Sequence, residues 1–224
     1  MTSFAMSRDE TRYVLNGIYL IIKKEYMRMV ATDGRRLAMI ERENNLPKPI
    51  DKKVIIPIKT VQELQRNLKE QGQATIYFSE NQIMFEFEDL VIISRLIEGE
   101  FPNYEQVIPK EIKEKVVVDR EKLLLAARRA SLFTSQESQG IKIDLEKGKM
   151  IISKQSPDIG EVREELDIEY KGPDFSIGFN PNYIIDALKN MQEQSISLEV
   201  ENPEKPGVIR TKDKYVYVVL PMQL

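Results

Sequence analysis

The stretch Val30-Ala31-Thr32-Asp33-Gly34-Arg35-Arg36-Leu37-Ala38 sets the reading of the chain. Short apolar runs flank a polar centre, and Gly34 supplies the backbone freedom a tight turn needs. It reads as two strands, 27–32 and 37–41, joined at that turn. Asp33 is a single carboxylate beside two arginines, which suits bracing the turn or pairing with an arginine. No second acidic residue is placed by sequence to form a metal pair with it.

Outward from this hairpin the pattern stays β-rich. Short runs of Val, Ile and Tyr read as strands at 14–22, 54–56, 75–79, 83–87 and 91–96. A second series follows at 116–118, 141–145, 150–154, 162–169, 175–179, 196–200, 208–211 and 215–220. Apolar alternation runs through Asn16-Gly17, so that pair is read as strand interior, whereas Glu146-Lys147-Gly148 reads as a hairpin turn. Three segments have helical period. In 58–69, after Pro57, Val61, Leu64 and Leu68 share a face. In 120–133, capped by Asp119, the core stripe is Leu124, Ala127, Ala130 and Ser131. In 180–191, Asn180-Pro181 starts a helix that buries Ile184, Ala187, Leu188 and Met191.

The chain repeats itself at an offset of about 123 residues, with Gly17 against Gly140 and Lys59-Thr60-Val61 against Asn182-Tyr183-Ile184. Thr75-Ile76-Tyr77 corresponds to Ser195-Ile196-Ser197, and 90–96 to 214–220. The second unit opens with a strand and helix before Gly140. Subtracting the offset predicts that residues 1–6 are the last turn or two of a helix and that the first unit is incomplete. The linker is 101–115, with Pro102 and Pro109, and the expected domains are 1–109 and 110–224.

Composition removes whole classes of chemistry. The 224 residues contain no cysteine, excluding disulfides, thiolate nucleophiles, zinc knuckles and iron–sulfur sites. They contain no histidine, the commonest general base and metal ligand. There is no P-loop, dinucleotide fingerprint or nucleophile elbow. No cofactor, metal or catalytic residue is expected. With 33 basic and 36 acidic residues the net charge is -3, which argues against indiscriminate nucleic-acid binding but not against one basic face. No run approaches the roughly 20 apolar residues of a membrane helix, and the start lacks the build of a signal peptide. The expected location is cytoplasmic.

Two segments carry a family resemblance. Residues 30–38 closely resemble the signature of the middle domain of the bacterial DNA polymerase III beta subunit, or sliding clamp, family. Gly99-Glu100-Phe101-Pro102-Asn103-Tyr104, with Val107 and Pro109, is similar to the stretch joining that family's middle and last domains. Residues 12–17, Gly178-Phe179-Asn180 and the ending 217–224 fall in the same order, so the resemblance covers essentially the whole chain. It implies an α+β DNA clamp fold, each domain having outer antiparallel β-sheets and two inner helices. In the family three such domains form a subunit, and two subunits pair head to tail in a homodimeric ring around double-stranded DNA. This chain corresponds to most of the middle domain and the complete last domain, so it is not expected to close the normal ring.

The resemblance assigns two surfaces. Helix faces would touch DNA phosphates without reading sequence, through Lys59, Gln62, Arg66 and Lys69 on the first helix, Arg128 on the second, with Arg120 as a further candidate, and Asn182 and Lys189 on the third. Arg8 and Tyr13 resemble loop positions that reach DNA, while Glu63, Glu70 and Asp186 interrupt the basic pattern. An apolar groove would receive linear peptides resembling Gln-Leu-x-Leu-Phe. Its residues carry over as Leu15, on a strand, then Thr32, Gly34, Arg35, Arg36, Leu37, Pro102 and Val107. From the last domain come Asn180, Tyr183, Val218, Val219, Leu220, Pro221 and Met222. Read without the family, Leu15, Leu37 and Val218 are plain core. Gln106, Ser138 and Gln223 depart from the family pattern and put peptide preference in question.

The implied partners are the DNA polymerase III alpha subunit, the clamp-loader delta subunit and repair proteins carrying clamp-binding peptides. The implied function is non-catalytic tethering that confers processivity. Polymerase and transferase vocabulary attaches to such a subunit only through its holoenzyme. The alternative is a shortened interaction module that binds client peptides without encircling DNA.

Overall fold

The computed structural model describes residues 1–44, 46, 50–69, 72–87, 89–110, 112 and 114–223. Glu70 and Leu224 therefore lie outside the described residues. The chain divides into two compact units, Thr2–Asn103 and the residues from Tyr104 onward.

In the first unit β1 (Gly17–Ile22), β2 (Tyr26–Thr32), β3 (Arg36–Glu43) and β4 (Lys52–Pro57) form antiparallel pairs in the order β4-β1-β2-β3. Opposite residues on β2 and β3 are tied by Arg28 and Glu41, whose half-buried side chains meet at 2.7 Å. Such a charge-assisted cross-strand pair fixes register as well as adding stability. After α1 (Ile58–Asn67) come β5 (Thr75–Phe78), β6 (Gln82–Phe87) and β7 (Leu90–Arg95), a three-stranded antiparallel sheet. Thr60 and Val61 of α1 are buried, and the Thr60 hydroxyl hydrogen-bonds Ser94 of β7 at 2.6 Å.

The second unit opens with β8 (Glu114–Asp119) and α2 (Arg120–Ser131). Next are β9 (Ile141–Glu146), β10 (Lys149–Ser156), β11 (Gly160–Asp167) and β12 (Phe175–Phe179), in the order β11-β10-β9-β12. Then follow α3 (Pro181–Lys189), β13 (Ser195–Val200), β14 (Gly207–Arg210) and β15 (Tyr215–Val219), with the order β15-β14-β13-β8. Helices α2 and α3 pack on each other. Their buried stripe is Leu123, Leu124, Ala126, Ala127 and Ala130 on α2, and Ile184, Ile185, Ala187 and Leu188 on α3.

The internal repeat is visible in this topology. The order β4-β1-β2-β3 recurs as β12-β9-β10-β11, α1 recurs as α3, and β5-β6-β7 recurs as β13-β14-β15. The helix starts behave as read: Asp119 accepts a hydrogen bond from the Lys122 N–H at 2.8 Å, and Asn180 accepts one from the Asn182 N–H at 2.9 Å with Pro181 following. The 146–148 hairpin also forms, with Gly148 at φ +77.

Four expectations are corrected. Residues 10–15 are a 3-10 helix, Glu10–Leu15, because the Asp9 carboxylate caps the Thr11 N–H at 3.0 Å, and the strand begins only at Gly17. Leu15 therefore closes a helix instead of lying on a strand. Helix α1 stops at Asn67, leaving Leu68 51% exposed rather than in the core stripe, and Leu64 only half-buried. Helix α2 stops at Ser131, which is half-buried. At the start of the chain a single 3-10 turn, Ser3–Ala5, replaces the expected helix end. Among the described residues the first unit thus carries one α-helix and the second unit two.

Arg129 of α2 reaches β11 through two bonds to Glu164, at 2.6 and 2.8 Å. This hydrogen-bonded guanidinium holds the Glu164 carboxyl below its ordinary value. A depressed carboxylate stabilises the fold above its unfolded value, and that stability is lost as pH falls through the folded value. Glu164→Gln should therefore lower stability by about 0.5–1 kcal/mol at neutral pH, discounted for the exposed Arg129. The difference from the parent should vanish in acid, which urea melts at pH 7 and pH 3 would check.

Candidate peptide-binding and DNA-facing surfaces

In the first unit the β2–β3 turn is built around Asp33. One carboxylate oxygen accepts the Arg35 and Arg36 N–H groups at 2.9 and 3.1 Å, and the other accepts Arg36 Nε at 3.0 Å. The Thr32 hydroxyl donates to the Arg36 carbonyl at 2.6 Å and accepts from the Gly34 N–H at 3.1 Å. Gly34 takes φ +87, a conformation that favours glycine, while Arg12 donates to the Asp33 carbonyl at 3.3 Å.

These bonds separate the two arginines. The Arg36 guanidinium also donates to the Phe4 carbonyl at 2.9 Å and lies over the Phe4 ring, so it is a structural brace. Arg35 and Gly34 are exposed and Thr32 is half-buried, whereas Leu15 and Leu37 are buried. Pro102 is exposed. Arg12 was missed by the sequence reading; nothing in its local pattern marks a contact made 21 residues away.

In the second unit the surface centres on the start of α3 and the end of β15. Asn180 is buried, and besides capping α3 its amide donates to Gln139 at 3.4 Å. The half-buried Tyr183 offers its carbonyl to the Tyr217 hydroxyl at 2.8 Å, fixing α3 to β15. Val218 and Val219 are buried, and Leu220 emerges 40% exposed. Pro221 and Met222 are half-buried, and the Met222 N–H donates to the Gly178 carbonyl at 2.8 Å as an isolated bridge. An apolar terminal segment is thus pinned to β12 by backbone bonding. Val107, on the 3-10 helix Tyr104–Val107, is half exposed.

Among the DNA-facing candidates, Lys59, Gln62 and Arg66 are exposed on α1, and Lys69 is exposed beyond its end. Arg66 is paired with Glu63 at 2.6 Å, which reduces the charge it offers. Arg128 is exposed on α2, as are Asn182 and Lys189 on α3. Arg120 is corrected: it donates to the Glu193 and Leu188 carbonyls at 2.8 and 3.1 Å, tying α2 to the end of α3. Arg8 is exposed, and Tyr13 is 58% exposed on the 3-10 segment.

The model of the DNA polymerase III beta subunit central domain matches residues 1–103, and that of its C-terminal domain matches 105–223. The chain belongs to the DNA polymerase III beta subunit family. It is 34% identical over 223 residues to the beta sliding clamp of Chlamydia pneumoniae, covering 100% of this chain and 61% of that protein. It is 34% identical over 226 residues to the Pseudomonas aeruginosa clamp, covering 62% of it. The fold superposes on the Pseudomonas aeruginosa sliding clamp with ligand at a TM-score of 0.95, 34% identity, covering 100% of this chain and 62% of that one. On the Thermotoga maritima beta subunit the TM-score is 0.91 at 31% identity, again over 100% of this chain and 61% of the other. The chain therefore has the α+β clamp fold and spans about three-fifths of the length of these relatives.

The family is non-catalytic, so polymerase and transferase terms overstate the role of such a subunit. Among the described residues no group of three or more acidic side chains is placed to hold a metal ion. Membership of this bacterial family makes the chain cytoplasmic; among the described residues no helix is long and apolar enough to cross a membrane.

Proposed function

We propose that this chain is a clamp-family interaction module that receives short linear peptides of the Gln-Leu-x-Leu-Phe type. The observation that carries the reading is the pinned apolar terminus. Leu220, Pro221 and Met222 stay partly exposed, while the preceding Val218 and Val219 are buried and the Met222 N–H donates to the Gly178 carbonyl. A preformed apolar strip with one flexible methionine suits several apolar ligands without large ordering cost. Related clamps from Bartonella birtlesii and Pseudomonas aeruginosa have been solved bound to griselimycin, which supports ligand capture within the family. In the first unit Thr32, Gly34, Arg35 and Pro102 are the accessible candidates, and Leu15, Arg36 and Leu37 support them.

Fluorescence anisotropy with a labelled peptide tests this. The intact chain should bind with a dissociation constant of about 1 μM or weaker, roughly -8 kcal/mol at 1 μM. Removal of 220–224 should weaken binding at least about tenfold, and Arg35→Ala should weaken it less. An intact, well-folded chain that binds no peptide would overturn the reading. The replicative and repair clients named by the resemblance, the polymerase alpha subunit and clamp-loader delta subunit among them, are the source of such peptides.

A second reading, a processivity clamp on double-stranded DNA, is favoured by the exposed Lys59, Gln62, Arg66 and Lys69 around α1. Phosphate contacts of this kind are sequence-independent and weaken steeply with salt. A topological clamp should be retained on circular DNA and lost when the DNA is linearised. Equal behaviour on both forms would leave only the peptide-binding module.

A further inference from the structure

Between α2 and β9 runs the loop 132–140, a largely polar segment closed by local bonds. The Ser135 N–H donates to the Ser138 carbonyl at 3.2 Å, and the Ser138 N–H donates to the Ser135 hydroxyl at 3.1 Å. Such bonds shape a turn without tying it to the rest of the fold. Among the described residues two side-chain hydrogen bonds do tie it, at successive positions. Lys154 Nζ of β10 donates to the Ser138 hydroxyl at 2.5 Å, and the amide of Asn180, the cap of α3, donates to Gln139 Oε1 at 3.4 Å.

The next residue brings the loop to the terminal segment. A Cβ on Gly140 would stand 3.8 Å from Met222 Cβ and 4.0 Å from Met222 Sδ. Residues 138, 139 and 140 therefore join β10, the start of α3 and Met222 in turn. Lys154 is built to hold its end of this chain of contacts. Strand alternation puts it on the face of β10 that carries the fully buried Met150 and Ile152, so its stem continues a packed surface and its amine emerges at the rim. Burial pushes that amine below the ordinary lysine value, and no carboxylate lies within ion-pair distance of it among the described residues. Its donor goes to a neutral hydroxyl on the loop.

We propose that Lys154 is a positioning residue for the peptide-binding surface: its bond to Ser138 latches the 132–140 loop, and the loop in turn holds Asn180 and Met222 in place for the ligand. The inference rests on the peptide-binding reading above and adds to it a residue that touches no peptide. With the latch closed, the loop is ordered before the ligand arrives, so binding does not bear the entropy of ordering it. With the latch open, the exposed segment 135–139 keeps only its local turn and the bond from Asn180. The packed stem of Lys154 makes the latch effective, because little rotamer freedom is left to lose when the bond forms.

Anisotropy with a labelled Gln-Leu-x-Leu-Phe-type peptide on the whole chain tests this. Lys154→Met keeps the stem and removes the donor, and should weaken binding about three- to tenfold, the weight of one hydrogen bond. Ser138→Ala, on the exposed loop, should do the same from the other side. The double variant should bind no more weakly than either single one, because both remove a single interaction. Lys154→Arg, which restores a donor, should bind within about twofold of the parent. Melting temperatures should stay together, whereas a purely structural lysine would lower stability and leave the affinity of the folded chain unchanged. Amide exchange without peptide should be faster across 135–140 and at Met222 in Lys154→Met. Equal binding by parent and Lys154→Met, additive losses in the double variant, or unchanged exchange would overturn this inference alone. A folded parent that binds no peptide would overturn the peptide-binding reading, and this inference with it.

Discussion

Gly17→Ala should destabilise the first unit by about 2–4 kcal/mol, while Gly140→Ala, at the same position of the repeat, should change stability by about 0.5 kcal/mol or less. A Cβ on Gly17 would stand 2.3 Å from the Ile56 carbonyl oxygen and 3.0 Å from an Ile55 side-chain carbon. Gly17 is opposite Pro57 at the end of the β1–β4 ladder, so the obstacle is backbone held by six residue pairs and cannot swing aside. Around Gly140 the nearest atoms are Met222 Cβ at 3.8 Å, with the Gln223 carbonyl and Met222 Sδ at 4.0 Å. Those are ordinary contacts, and the loss of glycine flexibility in the unfolded chain offsets any small cost. Urea denaturation of both variants would check the contrast. Equal costs would mean that strand backbone near Gly17 yields more easily than the ladder implies.

Glu199→Ala should cost about 3 kcal/mol. The Glu199 side chain is only 8% exposed within β13, where its carboxylate accepts from Arg210 and has Lys115 Nζ at 3.5 Å. Arg210 donates in addition to the Pro109 carbonyl, so the pair fixes the segment leading into β8 against β14. Removing the carboxylate strands a 28%-exposed guanidinium without its counter-charge. A buried pair is costly to break but contributes little over apolar residues of similar volume. The Glu199→Met, Arg210→Met double variant should therefore recover most of the loss, to within about 1 kcal/mol of the parent. Chemical denaturation of the single and double variants measures this. A double variant as unstable as the single one would show that the Arg210–Pro109 bond, not the ion pair, holds the segment.

Both experiments turn on contacts between residues distant in sequence, and that is where sequence reading stopped. Composition excluded thiol and histidine chemistry, because an absent residue type has no context to override it. The three helices, the hairpin at Lys147-Gly148 and the 123-residue repeat were legible because each rests on local period or on a cap and its next few residues. The Asp33 turn was legible for the same reason: every group it binds in the hairpin lies within three residues.

What only the tertiary structure decided is which of two chemically equal residues is committed elsewhere. Arg35 and Arg36 are adjacent and alike, yet Arg36 is consumed by Asp33 and Phe4 while Arg35 remains at the surface. Arg120 and Arg128 share a helix, yet Arg120 is spent on the carbonyls that end α3. Leu68 and Met191 occupy the same repeat position with opposite burial. The reason is common to all three. Local pattern states what a side chain can do, but burial and pairing depend on neighbours brought from tens of residues away, and those partners are fixed only when the chain folds.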